Sequence, residues 1–374
     1  MIVSFVDKLD WMNYSARVSR VQAALPANKL DSLLVTHMPN IRYLCGFTGS
    51  SGALLISDRG TVVFTDGRYT AQARSEVHGA KVAIARKPPL LAAAEWMSKR
   101  NRTGRTKHTL GIEAEHLSVA SRDRLLDVLP RGVRAKAALS LIESERMVKD
   151  ADEIEVIRRA VNLAASLFDT VLKTARPGVK EMDVAAEMQY TAARLGAEAM
   201  SFETIIASGS RSALPHGRAS QAVIPAEGFV VCDFGVILGG YCSDMTRSLY
   251  VGSANREARE FYQAVREAQQ AGIDAVRPGI TVGEVDRAAR RVLKKAGLGK
   301  FFSHSTGHGV GLEIHEPPRV ASGQTEVLQP GMTITIEPGA YIPGKWGVRI
   351  EDMVVVTTQA CEVLTPTSKE LQTL

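Results

Sequence analysis

Hydrophobic positions along the chain follow two different rhythms. Over the first 135 or so residues, short apolar runs (SLLVTH, ALLIS, TVVFTD) alternate with helical segments such as LLAAAEWMSKR, which predicts a small α/β domain. From Asp150 the pattern changes. The stretch DADEIEVIRRAVNLAASLFDTVLKTARPG has an acidic start, then Ile154, Ile157, Val161, Ala164, Phe168 and Val171 at the spacing of one helix face, and a stop at Pro177 and Gly178. This change predicts one domain over residues 1–140 and a second over residues 150–374.

The second domain contains an internal repeat. ARPGVKEMDVAAEMQYTAARLG, from Ala175, aligns without gaps on VRPGITVGEVDRAARRVLKKAG, from Val276, pairing Pro177 with Pro278, Val184 with Val285 and Gly196 with Gly297. Each copy reads as a helix entered through an RPG turn. Two similar αβ halves about a pseudo-twofold axis are expected.

Period-two runs follow each copy. VVCDFGVIL and YCSDMTRSLYV flank Gly239 and Gly240, the signature of a two-residue hairpin turn. With that loop, Leu238 faces Tyr241, Gly235 faces Asp244 and Asp233 faces Thr246. The two aspartates then become diagonal neighbours on one face, roughly 7–8 Å apart, close enough to converge on shared cations. TITIE ends another strand before Pro338, and GVRIEDMVVV reads as one further strand with Arg349 and Glu351 on the same face. A guanidinium there would be a clamp behind a ligating carboxylate, or simply a paired strand residue. His308 lies among Gly307, Gly309 and Gly311, where missing side chains would let a metal or substrate come close.

Taken singly, each of these residues has an ordinary structural explanation. Together, Asp233, Asp244, His308, Glu337 and Glu351 concentrate charge within apolar β runs, which is costly unless the charge is paired or metal-bound. Four carboxylates balance two divalent ions. Oxygen-rich ligation with one imidazole favours Mn²⁺, with Zn²⁺ or Co²⁺ as alternatives.

Composition narrows the class without changing this picture. A formal charge of +6 spread over 374 residues, with no basic stripe interleaved with aromatics, argues against a nucleic-acid partner. Cys45, Cys232, Cys242 and Cys361 show no paired spacing, so neither a zinc knuckle nor a disulfide framework is expected and a reducing cytoplasm fits. No apolar stretch is long enough to span a membrane, and the N-terminal residues do not read as a signal peptide.

The motifs carry a family resemblance. Residues 150 to 374 resemble the pita-bread-fold metallopeptidases, and the whole chain resembles their Xaa-Pro peptidase branch, aminopeptidase P and prolidase, through VVCDFG, YCSDMTR, STGHGVG, TITIEPG and GVRIEDM together with RYLCGFTGSSGALLI and FTDGRYTAQA in the first domain. The resemblance implies an α/β (α+β) chain with a small N-terminal domain of creatinase and prolidase type and a C-terminal pita-bread domain. It implies the five metal ligands named above and hydrolysis before proline by a hydroxide generated between two metals, with Glu337 moving the proton. It also implies roles for His216 and His315 on the substrate carbonyl and for Arg349 behind the metals. His304 is either a substrate contact or a buried structural histidine. Arg319, four residues after His315, is either a clamp for the free carboxylate of a dipeptide or an exposed loop arginine. Proline-containing dipeptides and longer peptides both remain open as substrates, and a homodimer is usual in the resembling family. Methionine aminopeptidases, metal-independent creatinase and non-catalytic pita-bread binding proteins are the alternatives, and the intact donor set and N-terminal domain weigh against them.

Overall fold

The computed structural model describes residues 12–100 and 107–374, without the side chains of residues 99 and 100. The signal-peptide expectation therefore falls mostly outside the described residues. Among them, no helix is long and apolar enough to cross a membrane. The chain divides after Arg146, and the second compact unit runs from Met147 to Leu374.

The first unit is one mixed sheet with helices. Strands β1 (Ser32–Val35), β2 (Ala53–Ser57), β3 (Gly60–Asp66), β4 (Lys81–Ala85), β5 (His108–Glu113) and β6 (Val133–Ala138) lie in the order β4-β3-β2-β1-β5-β6. β1 pairs antiparallel with β2 and parallel with β5. Helices α1 (Tyr14–Ala24), α2 (Met38–Cys45), α3 (Thr70–Glu76), α4 (Pro89–Arg100), α5 (Val119–Val128) and α6 (Leu141–Met147) connect and flank them. Leu34, Leu55, Phe64 and Leu110 from the strands pack with Ala93 of α4 and Leu125 of α5, so the alternating apolar runs have their core.

The second unit opens with α7 (Ala151–Thr174). Its start is fixed by a capping box: the Asp150 carboxylate accepts from Glu153 N at 2.9 Å, and the Glu153 carboxylate accepts from Asp150 N at 3.0 Å. Its apolar stripe then buries Ile157, Val161, Ala164, Phe168 and Val171. Helix α8 (Glu181–Arg194) follows, and the pair recurs as α9 (Arg256–Ala275) and α10 (Val282–Lys295). Both α8 and α10 begin and end at positions matched by the sequence repeat. Gly178 and Gly279 both have φ of +88° in the RPG turns, a conformation that favours glycine. The repeat is a structural one.

Each helix pair covers strands. Strands β7 (Ala199–Met200), β8 (Ile205–Ser208), β9 (Gly228–Phe234), β10 (Val236–Leu238), β11 (Tyr241–Cys242) and β12 (Met245–Val251) follow the first pair. The second pair is followed by β13 (Gly307–Gly309), β14 (Glu316–Val320), β15 (Thr333–Ile336), β16 (Gly339–Ile342), β17 (Trp346–Arg349), β18 (Asp352–Val356) and β19 (Cys361–Val363). Alternation along β9 sends Val230, Cys232 and Phe234 into a core with Leu167 and Phe168 of α7 and Val184 and Met188 of α8, which leaves Asp233 on the opposite face. On the other side Ile334 and Ile336 of β15 and Val354 and Val356 of β18 pack on Ile273 and Val285.

The hairpin register agrees with the sequence reading. Leu238 pairs with Tyr241 and Asp233 with Thr246. Gly239 and Gly240 have φ of +57° and +82°, as a two-residue turn with both central residues left-handed requires. One expectation needs correction. GVRIEDMVVV is not a single strand: β17 pairs with β16 in a two-stranded sheet, whereas β18 pairs with β15 in another. The chain bends between them because Glu351 N bonds Thr246 O at 3.1 Å, and the buried Arg247 guanidinium holds both Glu351 O at 2.6 Å and the Asp352 carboxylate at 2.7 Å.

Candidate metal centre

The aspartate hairpin, the end of β15 and the bend after β17 bring their charged groups to one place. Asp244, His308 and Glu351 offer ligand atoms that all lie within 4.8 Å of one another. His308 Nε2 is 3.6 Å from both Asp244 Oδ2 and Glu337 Oε1. Asp233 reaches the cluster through Arg349, whose Nη2 donates to Asp233 Oδ2 at 2.5 Å.

The histidine tautomer follows from its partner. Nδ1 lies 3.0 Å from Gly309 O, and since a carbonyl only accepts, Nδ1 carries the proton. The Nε2 lone pair therefore faces the Asp244 and Glu337 carboxyl groups at 3.6 Å, too far for a hydrogen bond to either. Asp233 Oδ1 and Glu351 Oε1 are likewise buried oxygens with no hydrogen-bond partner. Such atoms are rare and need an explanation.

Charge tells the same story. Burial, followed by the Glu351, Asp233 and Glu337 carboxylates, holds the Asp244 carboxyl well above its usual range. Glu351 is raised in the same way, by burial and then by Glu337 and Asp233. Burial pushes Glu337 up to about 8 against the pull of Arg349, with Asp233 adding to the rise. Burial also pushes His308 down to about 4. Three carboxyls that resist ionisation and an imidazole that resists protonation form a site short of positive charge. A hard divalent cation fits it, because the free donors are carboxylate oxygens and one neutral imidazole nitrogen.

Arg349 is only 3% exposed. Besides Asp233 it holds Thr246 Oγ1 at 3.1 Å, the Tyr341 hydroxyl at 2.7 Å and Pro215 O at 2.9 Å. It does not contact Glu351 directly, as its place two residues away had suggested. Thr246 Oγ1 is the go-between, donating to Glu351 Oε2 at 2.7 Å.

The glycines around His308 also act differently from expectation. A Cβ on Gly307 would lie 1.9 Å from Thr335 O, one on Gly309 2.2 Å from Pro317 O, and one on Gly311 2.5 Å from the Glu316 carboxylate. They make room for neighbouring strands and for Glu316 rather than for a ligand. Glu316 itself is buried and paired with Lys149 at 3.0 Å.

The remaining histidines separate into two kinds. His315 packs against the His308 ring with centroids 4.4 Å apart. Its pKa is pushed down by burial and then by His216. His216 is an exposed residue on the turn after Pro215, so the Arg349 bond to Pro215 O ties that turn to the cluster. His304 differs. Its Nδ1 lies 2.8 Å from Ser305 O and its Nε2 2.9 Å from the Tyr341 hydroxyl, and burial pushes its pKa down to about 4. Both ring nitrogens are engaged by the protein, which favours the structural histidine over a substrate contact. Arg319 is exposed on β14, directly opposite His308 in the register.

Sequence reasoning missed Tyr341, Thr246 and Thr335. Tyr341 joins Arg349 to His304, Thr246 joins Arg349 to Glu351, and Thr335 Oγ1 accepts from His308 N at 3.1 Å. Thr246 had a usable signal in its pairing with Asp233. The other two had none without the strand pairing.

A cluster that gathers hard-cation donors under buried second contacts, next to exposed histidines, defines a metalloenzyme. Comparison with known proteins narrows the class. Residues 155–358 match the metallopeptidase family M24, and residues 17–148 match the creatinase/prolidase N-terminal domain. The chain belongs to metallopeptidase family M24, with the N-terminal domain of creatinase and prolidase before the pita-bread domain. The structure of an Xaa-Pro dipeptidase from Bacillus anthracis is similar, with TM-score 0.92 and 38% identity, covering 97% of this chain and 100% of that one. An Xaa-Pro dipeptidase of Pyrococcus horikoshii is 35% identical over 97% of this chain and 100% of its own length. The structure of an X-Pro aminopeptidase from Thermotoga maritima follows with TM-score 0.87 and 33% identity, over 96% of this chain and 100% of that one.

Proposed function

We propose that the protein is a metal-dependent exopeptidase that hydrolyses the bond before proline, with Xaa-Pro dipeptides as its preferred substrates. The observation that carries this is the buried donor set: two orphaned carboxylate oxygens and a bare imidazole nitrogen among carboxyls that cannot all ionise unless cations join them. Dipeptidases similar over the whole chain support the substrate class.

Asp233, Asp244, His308, Glu337 and Glu351 would hold two divalent ions, Mn²⁺ by donor preference, with Zn²⁺ or Co²⁺ as alternatives. The ions would supply an activated water and polarise the scissile carbonyl. The Glu337 carboxylate takes the proton from the attacking water and passes it to the leaving proline nitrogen. His216 and His315 donate hydrogen bonds to the carbonyl oxygen as negative charge develops there. Arg349 keeps the Asp233 carboxylate correctly aimed through its Nη2.

The exposed guanidinium of Arg319, across the ladder from His308, supports the dipeptide preference, because it can receive a free carboxylate one residue beyond the scissile bond. A homodimer belongs to the same reading. So does a cytoplasmic location, which the four free cysteines support. The test is hydrolysis of Ala-Pro beside Ala-Pro-Ala by chelated enzyme with and without Mn²⁺. Cleavage restored by metal and confined to Ala-Pro is the expected result. Preference for the tripeptide would replace the dipeptidase reading with aminopeptidase P.

A further inference from the structure

His216 sits on a segment that is held by one side chain at both ends. Glu181, the first residue of α8, is completely buried. Its Oε1 accepts from Ser208 N at 2.8 Å and Ser208 Oγ at 2.9 Å. Its Oε2 accepts from Ser220 Oγ at 2.8 Å and Ser220 N at 3.2 Å. Arg211 Nε lies 3.2 Å from the first oxygen and 3.0 Å from the second. Thus one carboxylate closes the base of the loop from Ser208 to Ser220, and His216 lies near its tip.

The tip is tied to the candidate metal centre. Pro215 O accepts from Arg349 Nη1 at 2.9 Å, and Ser212 Oγ accepts from Gly347 N at 2.9 Å. The loop therefore has fixed points at its base and near its tip, which is how a compact loop with close ends holds a functional side chain. The α8 N-terminus adds to the base: Glu181 N and Met182 N donate to Ala222 O and Ser220 O, both at 3.0 Å. Glu181 has no part in the mechanism above, and its carboxylate bonds Ser208, Arg211 and Ser220 rather than any metal ligand.

We infer that Glu181 is a positioning residue for the reaction, setting the His216 imidazole over the scissile carbonyl by clamping both ends of its loop. The inference rests on the role given to His216 in the proposed function. An amide of the same size shows why the carboxylate matters. Glutamine has one acceptor oxygen and one donor nitrogen, so whichever end meets the NH₂ loses its acceptor and faces donor against donor. One end of the loop is released while the core volume is kept.

The test is a double-mutant cycle on the Mn²⁺-loaded full chain with Ala-Pro, using Glu181→Gln, His216→Ala and both together. A catalytic donor displaced by about 1 Å loses about 10²-fold in rate, so Glu181→Gln is expected to lower kcat by about that factor with little change in KM. In the His216→Ala background it should cost nothing more, since a residue acting through another is not additive with it. Amide hydrogen exchange over residues 209–220 should rise in Glu181→Gln, while Mn²⁺ affinity by calorimetry stays at the wild-type value. Should Glu181→Gln fail to fold, Ser220→Ala removes the hydroxyl that donates to Glu181 and accepts from Ala222 N, keeps the Ser220 N bond to the carboxylate, and is expected to lower kcat about threefold to tenfold, again only when His216 is present. Full additivity of the two substitutions, or unchanged kcat in Glu181→Gln alongside a costly His216→Ala, would overturn the positioning role and leave the proposed function standing. A His216→Ala enzyme as active as wild type would instead remove the role given to His216, and the inference with it.

Discussion

Stripping the metal should make the protein lose stability as the pH rises from 6.5 to 8. Glu337 carries the magnitude. Its carboxyl moves from the ordinary 4.5 to about 8 on folding, so between those values the folded state holds a proton that the unfolded state has released, and stability falls with rising pH. His304 and His308 act in the opposite sense. Their folded values near 4 lie below the ordinary 6.5, so they add stability as pH rises until the unfolded imidazoles have also lost their protons. Between pH 6.5 and 8 the unfolded imidazoles pass from half protonated to neutral, which returns about 0.4 kcal/mol for each histidine against the carboxyl effect. At about 1.36 kcal/mol per pH unit, the interval from 6.5 to 8 removes about 2 kcal/mol through Glu337, and Asp244 and Glu351, both raised, add the same sign. Set against the two histidines, the net loss of about 1 kcal/mol is a fall of about 2–4 °C in Tm for a domain of this size. Bound metal reverses the trend because its ligands must be deprotonated. Mn²⁺ at about a hundred times its Kd would add about 2.7 kcal/mol, and the gap between loaded and stripped protein should widen with pH. The assay is thermal unfolding at constant ionic strength in chelator and in Mn²⁺. A stripped protein whose Tm is flat or rising between pH 6.5 and 8 would refute the reasoning.

Three substitutions probe the parts separately. Arg349→Met leaves the Asp233 carboxylate, Pro215 O and the Tyr341 hydroxyl without their donor; denaturant unfolding should show a loss of about 3–5 kcal/mol, as when one partner of a buried ion pair is removed, and wild-type stability would contradict it. Gly235→Ala places a Cβ 1.8 Å from Ser243 O in the aspartate hairpin; a loss of more than about 4 kcal/mol is expected, together with loss of Mn²⁺ binding in calorimetry. Arg319→Ala should raise KM for Ala-Pro about tenfold or more, with kcat little changed, and should not affect Ala-Pro amide, which lacks the carboxylate; an equal effect on both substrates would remove the clamp.

What could be read from the chain depended on whether the information was local. The Asp233–Asp244 register was legible because a two-glycine turn sets the pairing by counting alone. The helical repeat was legible because both copies carry the same punctuation at the same spacing. The break at Ile350 was not, since it is imposed by Thr246 and Arg247, about a hundred residues earlier in the chain. For the same reason Arg349 was assigned the wrong immediate partner: which carboxylate it meets depends on how two sheets come together. The glycines near His308 misled because their neighbours, Thr335, Pro317 and Glu316, lie on other strands or beyond a turn. Tyr341 stayed invisible because an aromatic in an alternating strand reads as core, and only its hydroxyl, shared by Arg349 and His304, reveals another task.

The central claim, that the five-residue cluster holds divalent metal and that this metal is required for cleavage before proline, is tested most directly by titrating Mn²⁺ into chelated wild type and Asp244→Ala in a calorimeter and assaying Ala-Pro hydrolysis on the same samples. Wild type should take up two ions per chain and gain activity in step with them, whereas Asp244→Ala should keep its fold and lose both. Hydrolysis by the chelated wild type, or full activity in Asp244→Ala, would contradict the account.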